Sequence, residues 1–209
     1  SECIFVYALG RMAADPGACV RVTGYVTLFG TAPQTLTELD TITNLLVCSS
    51  GAAITPATVV LPAATATELE RYEGMRVTIP QALTATEHYT LGRYGEVLLA
   101  AGGRLFQFTH TNAPNVAGNA AYLASLPLRT ITLDDGNGQQ NRDPILHPAP
   151  GLSAANTLRI DDTVTGLTGV LDQRFDLYRI QPVAPVSFTP ANSRPETPVA
   201  VGGNVRVVA

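Results

Sequence analysis

The chain has 209 residues, 45% hydrophobic and 14% charged, which is enough apolar material for one or two cores. Its formal charge of −4 argues against a surface that binds nucleic acid everywhere and leaves room only for a local Arg patch; every basic residue is Arg, and Lys and Trp are absent. No apolar run approaches the ~18 residues of a membrane span, so no membrane partner is expected.

In chain order, Cys3–Tyr7 reads as a strand that starts directly behind Ser1–Glu2, with no initiator Met or signal peptide, as in a processed or excised segment. After a loop over residues 10–17, Cys19–Leu28 alternates again around Gly24, and a central Gly lets a strand coil or bulge. Leu36–Val47 continues as one or two strands, and Thr58–Leu61 follows the turn at Ser49–Gly51. Thr65 and Glu68 have capping-box spacing for a short helix through Glu73, which Gly74 can stop. Met75, Val77 and Ile79 then alternate with polar positions as a strand, and Pro80 marks an edge or a bulge.

Further strands are expected at Glu96–Gln107 (with Arg104–Thr109 beyond Gly102–Gly103), Arg129–Leu133, Asp162–Leu171 and Leu177–Pro182, and a short helix at Asn119–Ser125. From Pro182 onward the recurrent prolines suggest an extended linker, ending in a strand start at Val205–Val208. A weak repeat links Val20–Val26 to Val164–Val170. Alternating strands with central Gly, short turns and little helix point to an all-β class built from small closed barrels.

Three segments carry a likeness to a known family: LERYEGMRVTIPQALTATEHYTLGRYGEV at 69–97, TLRIDDTVTGLTGVLDQRFDLYRIQP at 157–182, and VGGNVRVVA at 201–209. They resemble the region preceding the catalytic domain in large secreted bacterial endonucleases of the ExeM/NucH type. The resemblance implies OB-like β-barrels, each with five strands and a helix between the third and fourth. It also implies secretion, extracellular DNA as substrate, and a divalent metal confined to a catalytic domain lying beyond Ala209. On this frame residues 1–61 form an incomplete OB-like segment with only a third, fourth and fifth strand, its first two missing before Ser1. Residues 62–187 form a complete barrel, and residues 188–209 a Pro-rich linker leading into a further domain.

The candidate binding residues fall in loops. Tyr89, Arg93 and Tyr94 sit on the Gly-flanked loop between the barrel's first two strands, where OB-type barrels stack bases on aromatics and place Arg on phosphates. Arg174, Phe175, Tyr178 and Arg179 offer a similar set between the last two, and Arg104 adds a further cation. The same side chains also fit packing over the barrel mouth or an ordinary strand edge. Asp134, Asp135 and Asn137 have the oxygen-rich composition that can hold Ca²⁺, in an order unlike an EF-hand and equally suited to a plain turn.

Cys3, Cys19 and Cys48 lack metal spacing; one pair could be bridged in a secreted protein, and sequence does not say which. His88, His110 and His147 are isolated, and no catalytic motif is present, so no catalytic residue is assigned and no cofactor is expected. The expected function is that of a non-catalytic accessory region holding single-stranded or other extracellular DNA. The rival is a structural β module that self-associates through an exposed edge by strand complementation into a homo-oligomer or fibre.

Overall fold

A computed structural model describes residues 4–8, 14–31, 34–197 and 202–203. Its centre is a closed five-stranded barrel. The strands are β5 (Arg76–Glu87), β6 (Val97–Ala101), β7 (Thr130–Leu133), β8 (Thr163–Arg174) and β9 (Leu177–Pro182). They follow the order β5-β6-β7-β9-β8, and β8 pairs back on β5 to close the ring. All neighbours are antiparallel except β7 and β9, which run parallel. That order, with a parallel third and fifth strand, is the OB-like architecture expected of a complete barrel.

Alternation decides which side chains fill the barrel. Val77 and Ile79 point inward from β5, and Leu83 and Ala85 do so again beyond a break in the β8 register between Ile79 and Ala82. Pro80 sits in that break, where a missing donor removes no ladder bond. Val97, Leu99, Ile131, Leu133, Leu171 and Ile180 complete a core that excludes water. A 3-10 helix at Glu68–Tyr72 lays Leu69 on one end, and Gly74 turns the chain into β5 with φ of 72°. The Glu68 carboxylate accepts from the Ala64 N–H rather than from Thr65, and no side chain caps the helix, so the expected capping box is not formed.

Three expectations are corrected. β6 stops at Ala101, and residues 104–109 are not a strand; Phe108–Thr111 forms a single helical turn, α2. The implied helix between the third and fourth strands is absent, and residues 134–162 are irregular. The barrel's long helix, α3 (Val116–Arg129), lies between the second and third strands, capped by the Asn115 side chain, which accepts from Gly118 N–H. The short helix α1 (Leu91–Tyr94) stands inside the loop between β5 and β6.

Ahead of the barrel, β1 (Phe5–Val6), β2 (Cys19–Thr31) and β3 (Gln34–Ser49) form an open sheet of order β1-β3-β2, with β1 parallel and β2 antiparallel to β3. This is the pairing of a third, fifth and fourth barrel strand, as expected for the incomplete unit. Among its described apolar side chains only Leu36 is buried. β4 (Ala57–Thr58) then pairs in parallel with β5.

The chain after Pro182 does not leave as a linker at once. Val186 is buried, Thr189 pairs with Thr163, and Asn192 donates to the Ile160 carbonyl. The expected strand start at Val205–Val208 lies outside the described residues, as does Cys3. Cys19 and Cys48 are exposed, and among the described residues neither is bridged.

Candidate functional site

Two groups of predicted residues occupy different parts of the barrel. The first surrounds the loop between β5 and β6. Tyr89 is 88% exposed there, on the approach to α1. Gly95 ends α1 with φ of 72°, its Cα against the Asp135 carboxylate, where a Cβ has no room. Arg93 donates through Nε (3.0 Å) and Nη2 (2.9 Å) to the side-chain Oε1 of Gln140, and its guanidinium lies 5.2 Å from the centre of the Tyr94 ring. Gln140 is neutral, and among the described residues no carboxylate pairs with Arg93, so its positive charge is uncompensated.

Arg104 belongs to this group. The backbone N–H of its neighbour Leu105 donates to Thr86 Oγ1 (3.0 Å), which fixes the segment beside the end of β5 that feeds the loop. The Arg104 guanidinium lies 4.9 Å from the centre of the Phe106 ring and 3.4 Å from the Asp161 carboxylate. Phe106 in turn stacks on His110, with centroids 4.7 Å apart and planes within 8°. Arg104, Phe106 and His110 are all exposed. Tyr122 of α3 anchors the stack by donating its hydroxyl to the Phe106 carbonyl. Phe106 and His110 were not among the residues expected from sequence. The available signal was Arg104 and Phe106 two apart with His110 four further on, which a strand reading of 104–109 conceals.

The second group lies at the hairpin between β8 and β9 and is mostly committed to the protein's own charges. Arg179 is 4% exposed and pairs with both Glu96 and Asp134, the latter at 2.8 Å. Burial alone would lower its pKa; the two carboxylates outweigh that and hold it charged. Its guanidinium is thus used internally, against the expectation that it faces phosphate. Arg174 pairs with Asp172 at 2.8 Å and lies over the Phe5 ring of the open sheet. Tyr178 is half-buried and donates to Glu70 (3.2 Å); burial first, and then the Glu70 charge, push its pKa well up. Phe175 is the most exposed of the four, 82% at the tip.

The acidic turn is built from its own side chains. Asp134 Oδ1 accepts from Gly136 N–H (2.8 Å), Asp135 Oδ1 from Asn137 N–H (2.8 Å), and Asn137 Oδ1 from Gln139 N–H (2.9 Å). Asp134 also serves Arg179, and Asp135 lies 3.8 Å from Arg142. Among the described residues no group of three His, Cys, Asp or Glu is placed to hold a metal ion. A cleft of about 540 Å³ lies between α3 and β5, lined by Leu61, Gln81 and Arg129 among others. Arg129 donates through Nε and Nη2 to the Ala101 carbonyl, which fixes its guanidinium at the cleft wall.

The barrel with its exposed aromatic and Arg-bearing rim therefore falls in the class of OB-like β-barrel proteins. Over residues 33–191 the chain matches the family model described as Domain of unknown function (DUF8508), and it belongs to that family. The match begins just ahead of β3 and runs past the last barrel strand to residue 191. No curated protein and no solved structure matches the chain. No helix among the described residues is long and apolar enough to cross a membrane.

Proposed function

We propose that the barrel is a non-catalytic module that holds single-stranded DNA, or a similar polyanion, for a neighbouring catalytic domain of a secreted nuclease-like protein. The observation that carries this reading is the loop end of the barrel. Exposed Tyr89, the uncompensated Arg93, and the Arg104–Phe106–His110 stack are gathered on two segments bonded through Thr86. Bases stack on exposed rings regardless of sequence, and Arg on neighbouring positions answers the backbone charge. The likeness of residues 69–97 and 157–182 to the region preceding secreted endonuclease domains supports the same reading. The net charge of −4 confines binding to this rim.

Fluorescence anisotropy with a labelled oligothymidine tests it. Binding should weaken steeply between 50 and 200 mM salt, as release of counterions requires. Tyr89→Ala and Phe106→Ala should each weaken binding by about 5- to 150-fold, the range set by ~1–3 kcal/mol per stacked base. Wild-type protein that leaves the oligonucleotide unbound at low salt removes the proposal.

A further inference from the structure

The open sheet copies, strand for strand and in register, the part of the barrel that needs β5 and β6 to bury it. In the barrel, Ile180 of β9 pairs antiparallel with Leu171 of β8 and parallel with Leu133 of β7. In the open sheet, Leu39 of β3 pairs antiparallel with Val26 of β2 and parallel with Val6 of β1. The preceding positions repeat the match, Arg179 with Thr132 and Glu38 with Phe5. A second, independent feature obeys the same correspondence. Gly169, two positions before Leu171, lies against the carbonyl oxygen of Gln181, the residue after Ile180. Gly24, two before Val26, lies against the carbonyl oxygen of Asp40, the residue after Leu39. A Cβ at either glycine would strike that oxygen.

Burial is where the two differ. Leu133, Leu171 and Ile180 are 0% exposed, whereas Val26 is 67% exposed. In the barrel the cover is β5, which pairs Arg76–Ile79 with residues 167–170 of β8, and β6, which pairs Val97 and Leu98 with Leu133 and Thr132. Carried onto the open sheet, those registers place one strand along residues 22–25 of β2 and a second along Phe5–Val6. The surface is ready for both. Among the described residues β2 is the free outer strand for its 13 residues, with one charged side chain, Arg21, and no Pro to blunt the edge. Val20, Val22, Val26 and Leu28 share one face with their partners Val47, Leu45 and Leu39, while Arg21, Glu38 and Asp40 alternate onto the other. An uncharged face of this kind selects an uncharged, apolar cover.

We infer that the open sheet is an acceptor for an antiparallel β-hairpin supplied from outside residues 1–209, its first strand alternating in apolar residues and pairing with residues 22–25, its second lying against Phe5–Val6, so that a second barrel closes. A further copy of this chain does not offer that piece. Among the described residues the hairpin of this connectivity is β5–β6, already closed into its own barrel.

The test uses the full chain and a synthetic peptide of residues 75–102, the hairpin that performs this task in the closed barrel. Hydrogen exchange is followed by mass spectrometry. At ten times its Kd the peptide should slow the outward amides of residues 22–25 about tenfold, by simple mass action. A control peptide carrying Ile79→Lys and Leu83→Lys should leave them unchanged. Val26→Lys in the full chain should abolish the protection while exchange in β6 and β9 stays as in wild type. No protection from the intact peptide, or equal protection from the control, overturns the inference. So does protection of β2 in the chain alone that grows with concentration alongside a dimer mass in light scattering, which would make a second copy the occupant.

Discussion

Arg179 shows how far a residue's chemistry can be inferred before its neighbours are known. Its place beside Phe175 in an Arg- and aromatic-rich hairpin suggested phosphate contact. Its surroundings decide otherwise, because Glu96 and Asp134 converge on it from positions 83 and 45 residues away in sequence. Removing it would leave two carboxylates facing each other in a site with little water. Arg179→Ala is expected to cost about 3–5 kcal/mol in urea unfolding at pH 7. An unchanged midpoint would mean that solvent reaches the triad freely. The interior positions were easier to read, since alternation alone assigns them. Val77 and Leu167 both enter the core, and Leu167→Ala should cost ~2–5 kcal/mol. A thermal melt equal to wild type would contradict the packing around Leu167.

At the scale of elements, Leu177–Pro182 and the strands flanking it were legible because a period of two and a turn signal agree there. Segment 104–111 was not, because Leu105, Phe106 and Phe108 also satisfy a strand pattern. What decides between strand and turn there is the tertiary anchoring by Thr86 and Tyr122, which no local window contains. α3 was legible in part, as the short helix expected at Asn119–Ser125, whereas the helix that the family likeness implies between the third and fourth strands is absent from residues 134–162. The β8–β9 hairpin adds a prediction. Phe175 and Asp176 carry φ of 54° and 62° in its two-residue turn, a conformation that favours Asn and Gly and disfavours a bulky ring. The outcome of replacing Phe175 by Asn and Asp176 by Gly is ruled by backbone strain on one side and by the Phe175 ring over Arg179 on the other. Because the ring is exposed, strain relief should dominate, and the double substitution Phe175→Asn with Asp176→Gly should raise stability by about 0.5–1 kcal/mol. A loss of stability instead would assign the ring a packing role over Arg179.

For the whole molecule, stability should depend on pH through two buried groups of opposite sign. Glu73 lies where the 3-10 helix meets the open sheet, and its Oε1 has no partner among the described residues. Burial is the main cause that raises its pKa from 4.5 to about 7; the charges of Glu70 and Asp172 add to it, and the backbone N–H of Thr37 on β3 opposes it. His147 is 3% exposed with neither ring nitrogen bonded among the described residues, and burial holds its pKa below 6.5 against the partial opposition of Asp135 and Asp134. Between pH 4.5 and about 7 the native state keeps a proton on Glu73 that the unfolded chain has lost, so this group's contribution falls as pH rises. Below pH 6.5 the unfolded chain takes up a proton at His147 that the native state refuses, so that contribution falls as pH falls. The two slopes oppose each other between about pH 4.5 and 6.5, and substitution separates them. Glu73→Gln keeps an acceptor for the Thr37 N–H and abolishes the titration. Relative to wild type, it should gain on the order of 1–3 kcal/mol in urea stability between pH 4.5 and pH 8. His147→Phe should do the reverse, gaining relative to wild type as pH is lowered from 7 to 5. Urea midpoints of the three proteins across that range decide the matter. Parallel curves for wild type and Glu73→Gln would show that the Glu73 carboxyl is hydrated, and that the junction between sheet and barrel is open to water.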